Sequence, residues 1–127
     1  MERMEHARAL RAVTDMHYNC CQSVLVPFAD QLGLTEEQAY ALGANFGGGM
    51  RHGSTCGAIT GALMVLGLMG CGEAESRWLL QQFRAANGCT DCAGLLAAAR
   101  ERGEEKKPHC DRMVYQCVQA LEDIPAR

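Results

Sequence analysis

The sequence predicts an all-α fold: a compact single-domain bundle of six or seven helices around a buried central helix. Three observations predict it. Apolar residues recur at three- and four-residue spacing along most of the chain. Capping residues and glycines punctuate those stretches, and no hairpin turn or alternating strand of useful length occurs. At 127 residues the chain suits one domain, 1–127, with a core large enough to fold unaided.

The first helix runs from Met4 to His17, with Ala7, Leu10, Val13 and Met16 as its apolar stripe and Arg8 and Arg11 outside it. Asn19 caps a second helix from Cys20 to Leu32, which Pro27 kinks or splits and Gly33 ends. Thr35-Glu36-Glu37-Gln38 reads as a capping box opening a third helix to about Asn45. A glycine-rich turn, Phe46 to Gly53, leads to Ser54 and Thr55, good caps for a helix with Cys56 in its first turn. That helix is apolar on every side and so reads as buried all round, ending near Gly70-Cys71-Gly72. Glu73 to Asn87 is amphipathic and stops at Gly88. Thr90 or Asp91 caps a short helix from Cys92 to Arg102. Gly103 to Pro108 reads as a charged loop, and a last helix spans Cys110 to about Glu122.

Composition removes several function classes. The net charge is −3, and ten of the twelve basic residues are arginines spread along the chain, so no footprint for nucleic acid is present. Met1 to His6 is charged and lacks the apolar run of a secretory signal. The longest apolar run, Ala58 to Met69, is too short to cross a membrane. The expectation is a soluble, cytoplasmic protein. Its redox partner protein is not specified by the sequence, and a homodimer remains open. No Ser/His/Asp or paired-carboxylate constellation points to hydrolysis.

Eight cysteines are far more than ordinary usage, and in a reducing compartment they read as metal ligands or working thiols. Four share one setting. Asn19-Cys20, Thr55-Cys56, Asp91-Cys92 and His109-Cys110 each put a polar residue before a cysteine at a predicted helix start. An apolar residue follows three or four positions on. Helix N-termini favour negative charge, so Cys56 is expected to ionise readily, and four such termini meeting would suit thiolates or an anionic cluster. Cys21, Cys71, Cys89 and Cys117 lack the pattern, although Cys89 forms Cys-x-x-Cys with Cys92. A zinc site from Cys89, Cys92, Cys110 and either His109 or Cys117 lacks the usual finger spacing. Gly48 to Thr55 falls one residue short of a phosphate-binding loop, with Ser54 in the lysine's place. Gly53 and Gly57 are instead candidates for close approach of backbone to a bound cofactor or a neighbouring segment, and Gly57-x-x-x-Gly61 fits tight helix packing. Arg51 and His52 flank the loop and read mainly as a solvated turn.

Tyr18-Asn19-Cys20-Cys21-Gln22-Ser23-Val24-Leu25, Phe46-Gly47-Gly48-Gly49, Cys56-Gly57-Ala58-x-x-Gly61, Cys92 and Cys110 together resemble a family of small redox-active proteins. That family is named for the pattern C, GCAxxG, C, C. The likeness runs from about residue 17 to 122, with Cys-Gly-Ala here where the pattern has Gly-Cys-Ala. It implies a helical fold and assigns Cys20, Cys56, Cys92 and Cys110 as the family's four cysteines. A related module in split-Soret cytochromes is thought to hold a two-iron, two-sulfur cluster on four cysteines. Haem attachment does not carry over, since no Cys-x-x-Cys-His occurs here.

Three expectations follow, in order of preference. The first is a redox protein ligating one metal centre through Cys20, Cys56, Cys92 and Cys110, a [2Fe–2S] cluster for electron transfer or sensing. The second is a metal-free thiol/disulfide protein with Cys56 as the reactive thiol and Cys92, Cys20 or Cys89 resolving the intermediate. The third is a zinc-stapled helical interaction module. None requires a substrate pocket of an enzyme's kind.

Overall fold

The computed structural model describes residues 2–124, so Met1 of the charged start lies outside the described residues. Seven α-helices account for the described chain: α1 (Arg3–Ala12), α2 (Cys20–Leu25), α3 (Glu36–Gly43), α4 (Gly57–Leu68), α5 (Glu73–Asn87), α6 (Cys92–Glu101) and α7 (Lys106–Asp123). Among the described residues there is no strand, only an isolated antiparallel bridge between Thr55 and Asp91.

The central helix, α4, packs chiefly on α2, and α7 closes over both. Val24, Leu25, Ile59, Val65, Leu66, Val114 and Val118 are all essentially excluded from water. Burying each such side chain contributes about 1.5–3 kcal/mol before entropy is counted. The Gly57-x-x-x-Gly61 face explains how closely α2 approaches. A Cβ on Gly61 would lie 2.7 Å from the Cys21 carbonyl oxygen, and one on Gly57 would lie 2.8 Å from that of Phe46.

Three boundaries and the burial of α4 differ from the sequence reading, each for a physical reason. α1 ends at Ala12, because Val13 turns extended and Val13 and Met16 are exposed, so their helical spacing has no core to serve. The second helix splits around Pro27, as expected there, so that α2 ends at Leu25 rather than Leu32 and a single 3-10 turn, Val26–Phe28, follows. α4 is buried as far as Leu66, apart from the half-buried Leu63 and Met64, and Gly67 and Leu68 emerge into solvent. α7 begins at Lys106, one turn before the predicted start, because Pro108 sits in the first helical turn, where its missing N–H costs nothing. The Asn19 cap, the Thr35 capping box and the left-handed Gly88 stop are where the sequence placed them, and the Asn19 cap is a capping box too.

The glycine-rich turn folds as one wide helical turn, Gly49–Gly53, closed by a 2.8 Å bond from Ser54 N–H to the Gly49 carbonyl. Met50 and Arg51 are held in the left-handed region, at φ 58° and 64°, which β-carbon-bearing residues adopt only under constraint. Gly49, at φ +67°, has no such freedom to lose. A Cβ there would press to 2.6 Å from Ser54 N and 2.7 Å from the Cys92 Cβ.

Candidate functional site

Three local devices bring distant cysteines together. Asn19 caps α2 reciprocally with Gln22: its Oδ1 accepts from Gln22 N–H and its own N–H donates to Gln22 Oε1, both at 2.8 Å. That fixes Cys20 as the first residue of α2. The Thr55–Asp91 bridge then ties the heads of α4 and α6 side by side. Cys56 N–H donates to the Thr90 carbonyl at 2.8 Å and Cys92 N–H to the Ser54 carbonyl at 2.6 Å. Finally α7 brings Cys110 to the same cavity wall as Cys20, where each thiol is the largest influence on the other's acidity.

Cys20, Cys56, Cys92 and Cys110 all line one cavity of about 110 Å³, with Gly48, Gly57 and His109 also on its wall. Cys20 and Cys92 are the first residues of their helices, as the sequence implied. Two placements differ. Cys56 is the N-cap of α4 rather than a first-turn residue, and Cys110 stands in the second turn of α7, away from its N-terminus. Gly53 lies outside the cavity wall, at φ +80° against the Ala93 Cβ.

The thiols differ sharply in acidity. Burial pushes Cys56 up to about 11. The N–H groups of Ala58 and Ile59 pull the other way but make no capping hydrogen bond. The expected readily ionised Cys56 is therefore not found, because desolvation of the thiolate outweighs the helix terminus. Cys110 behaves in the opposite way. The hydrogen bond from Cys20 favours its thiolate first, the charges of Arg11 and Lys106 add to it, and its pKa falls to about 7 despite burial and nearby Asp111. Cys20, the donor of the pair, is raised by that same bond and by burial. Cys92 is also raised, mainly by burial.

Arg11 is the residue the sequence misplaced. Assigned to the solvent face of the first helix, its side chain is only 10% exposed. Nε donates to Asp111 Oδ1 at 2.6 Å and Nη1 to the Tyr18 carbonyl at 2.8 Å. The one available signal was Asp111, a carboxylate directly after Cys110. Arg51 and His52 are exposed. His109 was weighed only as a zinc ligand. It is 3% exposed, and its Nδ1 has no hydrogen-bond partner and lies 3.7 Å from Glu104 Oε1.

The remaining cysteines stand apart from the cavity wall. Cys21 and Cys117 are buried core residues whose thiols burial raises, Cys21 to about 12. Cys71 and Cys89 are half-buried, and Cys89 Sγ lies 4.0 Å from the Asp91 carbonyl. Among the described residues, no three His, Cys, Asp or Glu side chains gather into a group that could hold a metal ion. The suggested zinc set of Cys89, Cys92, Cys110 with His109 or Cys117 is therefore not assembled. No helix among the described residues is long and apolar enough to cross a membrane.

Comparison with known proteins gives one match. The family model described as "Putative redox-active protein (C_GCAxxG_C_C)" covers residues 18–124. No curated protein and no solved structure matches the chain.

Proposed function

Since the chain belongs to the C_GCAxxG_C_C family of redox-active proteins, we propose that its working unit is a Cys20–Cys110 dithiol–disulfide couple. One observation carries this reading: Cys20 and Cys110 stand on the wall of one cavity, and the Cys20 thiol, with Arg11 and Lys106, holds the Cys110 thiol down at about 7. Thiolate, not thiol, attacks disulfides, and an attacking group with a pKa near ambient pH is close to optimal. The Cys110 thiolate attacks one sulfur of an oxidised disulfide substrate, and a mixed disulfide forms as a substrate thiolate leaves. Cys20 then loses its proton and attacks the Cys110 sulfur, expelling the second thiolate. The protein is left with a Cys20–Cys110 disulfide, and the substrate has gained two electrons. Cys110, rather than Cys56, is the attacking thiol, and Cys20 resolves.

The test is to equilibrate reduced protein in redox buffers of graded potential, trap free thiols by alkylation and map them by mass spectrometry. Cys20 and Cys110 should become protected together in a two-electron transition. Their remaining free at every potential would refute the proposal.

A second reading keeps a [2Fe–2S] cluster, and it is favoured by one fact: four thiols line the cavity where a dithiol needs two. The donor chemistry suits it, and Cys20, Cys56, Cys92 and Cys110 would hold the cluster, which supplies one-electron chemistry when bound. Against it, no three of these thiols stand within ligating reach together among the described residues. Stoichiometric iron and sulfide in anaerobically purified protein would select this reading, and their absence would remove it.

A further inference from the structure

Cys110 stands between two spaces. Inward is the four-thiol cavity. Outward is a surface groove of about 230 Å³ between the end of α1 and the first turns of α7, which shares Arg11, His17, Lys106 and Cys110 with the cavity. The groove wall carries Arg11, Lys106 and Lys107, with Val13 and Tyr18 supplying apolar contact. Three cationic side chains thus share one groove wall with the Cys110 thiol. Their charge is incompletely cancelled. Arg11 and Lys107 share one carboxylate, Asp111, at 2.6 Å and 3.1 Å, while Lys106 has no hydrogen bond or ion pair among the described residues. The groove also receives the positive end of α7, an 18-residue helix whose N-cap residue, Glu105, makes no side-chain cap and does not line the groove.

We propose that this groove is the substrate site, and that its substrate class is a small anionic disulfide, one carboxylate of which meets Lys106, in the field of Lys107, while one sulfur meets Cys110. The inference rests on the dithiol reading above and adds to it which disulfides are used and where they dock. A groove of this size suits a small molecule, and the charge surplus selects its sign. Arg11 is largely committed to Asp111 and the Tyr18 carbonyl, so it shapes the wall, whereas Lys106 is free to meet a carboxylate. Electron flow is as written above. Each substrate molecule accepts two electrons and leaves as two thiols, and the protein leaves as the Cys20–Cys110 disulfide.

The experiment compares three disulfides of matched chemistry and different charge: oxidised glutathione (dianionic), bis(2-hydroxyethyl) disulfide (neutral) and cystamine (dicationic). Each oxidises the fully reduced chain at low salt, and the second-order rate of Cys20–Cys110 disulfide formation is read. The anionic-to-neutral rate ratio should be about tenfold or more, the cationic probe should be slowest, and both differences should shrink as salt is added. The double variant Lys106→Gln/Lys107→Gln should bring the anionic-to-neutral ratio to about unity. Taking the ratio removes any effect of the lysines on Cys110 reactivity itself, since the neutral probe reports that effect alone. Equal rates for all three probes, or a ratio unchanged in the double variant, would overturn the docking site while leaving the dithiol intact. Failure of all three to form the Cys20–Cys110 disulfide would overturn the dithiol reading itself.

Discussion

Cys20→Ala isolates the hydrogen bond on which the acidity of Cys110 chiefly depends. That bond is the largest of the influences lowering the Cys110 pKa to about 7, with Arg11 and Lys106 behind it. Cys110 is only partly buried, so solvent screens part of the effect, and a rise of about one unit is the expected consequence of losing the donor. The thiolate fraction at pH 6 then falls about tenfold. A more basic thiolate is also more nucleophilic, with a Brønsted slope near 0.45, so each thiolate reacts about threefold faster. Alkylation of Cys110 by iodoacetamide should therefore be about threefold slower than wild type at pH 6. The two should cross near pH 7.6, and the variant should be about threefold faster at pH 9. Cys20→Ser, which keeps a donor, should lie between the two. The assay is residue-resolved alkylation across a pH series. A Cys110 profile superimposable on wild type in Cys20→Ala would refute the role assigned to this bond.

Other consequences are equally direct. Gly61→Ala should destabilise by about 1–3 kcal/mol in urea unfolding, because its Cβ would sit 2.7 Å from the Cys21 carbonyl and push α2 off α4. Gly67→Ala, on the same helix with nothing within 4 Å, should stabilise by about 0.5–1 kcal/mol. Under reducing conditions, the thiols should place the stability optimum near pH 8.5. The depressed Cys110 pKa contributes stability above the unfolded value near 8.5, lost as pH falls through about 7. The raised Cys56 and Cys21 contribute below 8.5 and lose it as pH rises toward about 11 and 12, so the urea midpoint should fall on both sides. Arg112, whose Nε and Nη2 donate to Glu104 at 2.9 and 2.7 Å, holds that carboxyl down at about 2. Its contribution is present above the ordinary carboxyl range and is lost as pH falls toward 2, a dependence that Glu104→Gln should remove from acid unfolding curves.

Local chemistry was readable from the chain wherever one residue answers another a few positions away. Thr35 with Gln38, Asn19 as a cap and Gly88 as a left-handed stop all sit where their side chains demand. Cys20, Cys56, Cys92 and Cys110, singled out by their common setting and by the family resemblance, do line one cavity, although no three of them come within ligating reach of one another. What escaped depends on distance. Val13 and Met16 continue a helical period, but nothing covers them, so the helix stops. Pro108 looks like a breaker unless the helix is known to begin two residues earlier. Arg11 turns inward to a carboxylate one hundred positions away, and no period of α1 encodes that. The bridge joining Thr55 to Asp91 likewise has no local signature.

Thiol acidity shows why position on a helix is insufficient. Cys20, Cys56 and Cys92 stand at or beside helix N-termini, and all three are raised. Cys110 stands in a second turn and is lowered. A helix terminus contributes about 0.3–1 kcal/mol to a nearby anion in exposed settings. Removing a thiolate from water costs more than that at Cys56, which is 5% exposed. Cys110 is less enclosed and meets a thiol donor together with the charges of Arg11 and Lys106. The cavity therefore holds one thiol ready to ionise and three kept neutral around it. On the dithiol reading an incoming disulfide would be attacked from the groove side, with Cys20 on the same cavity wall as the sulfur it must next attack.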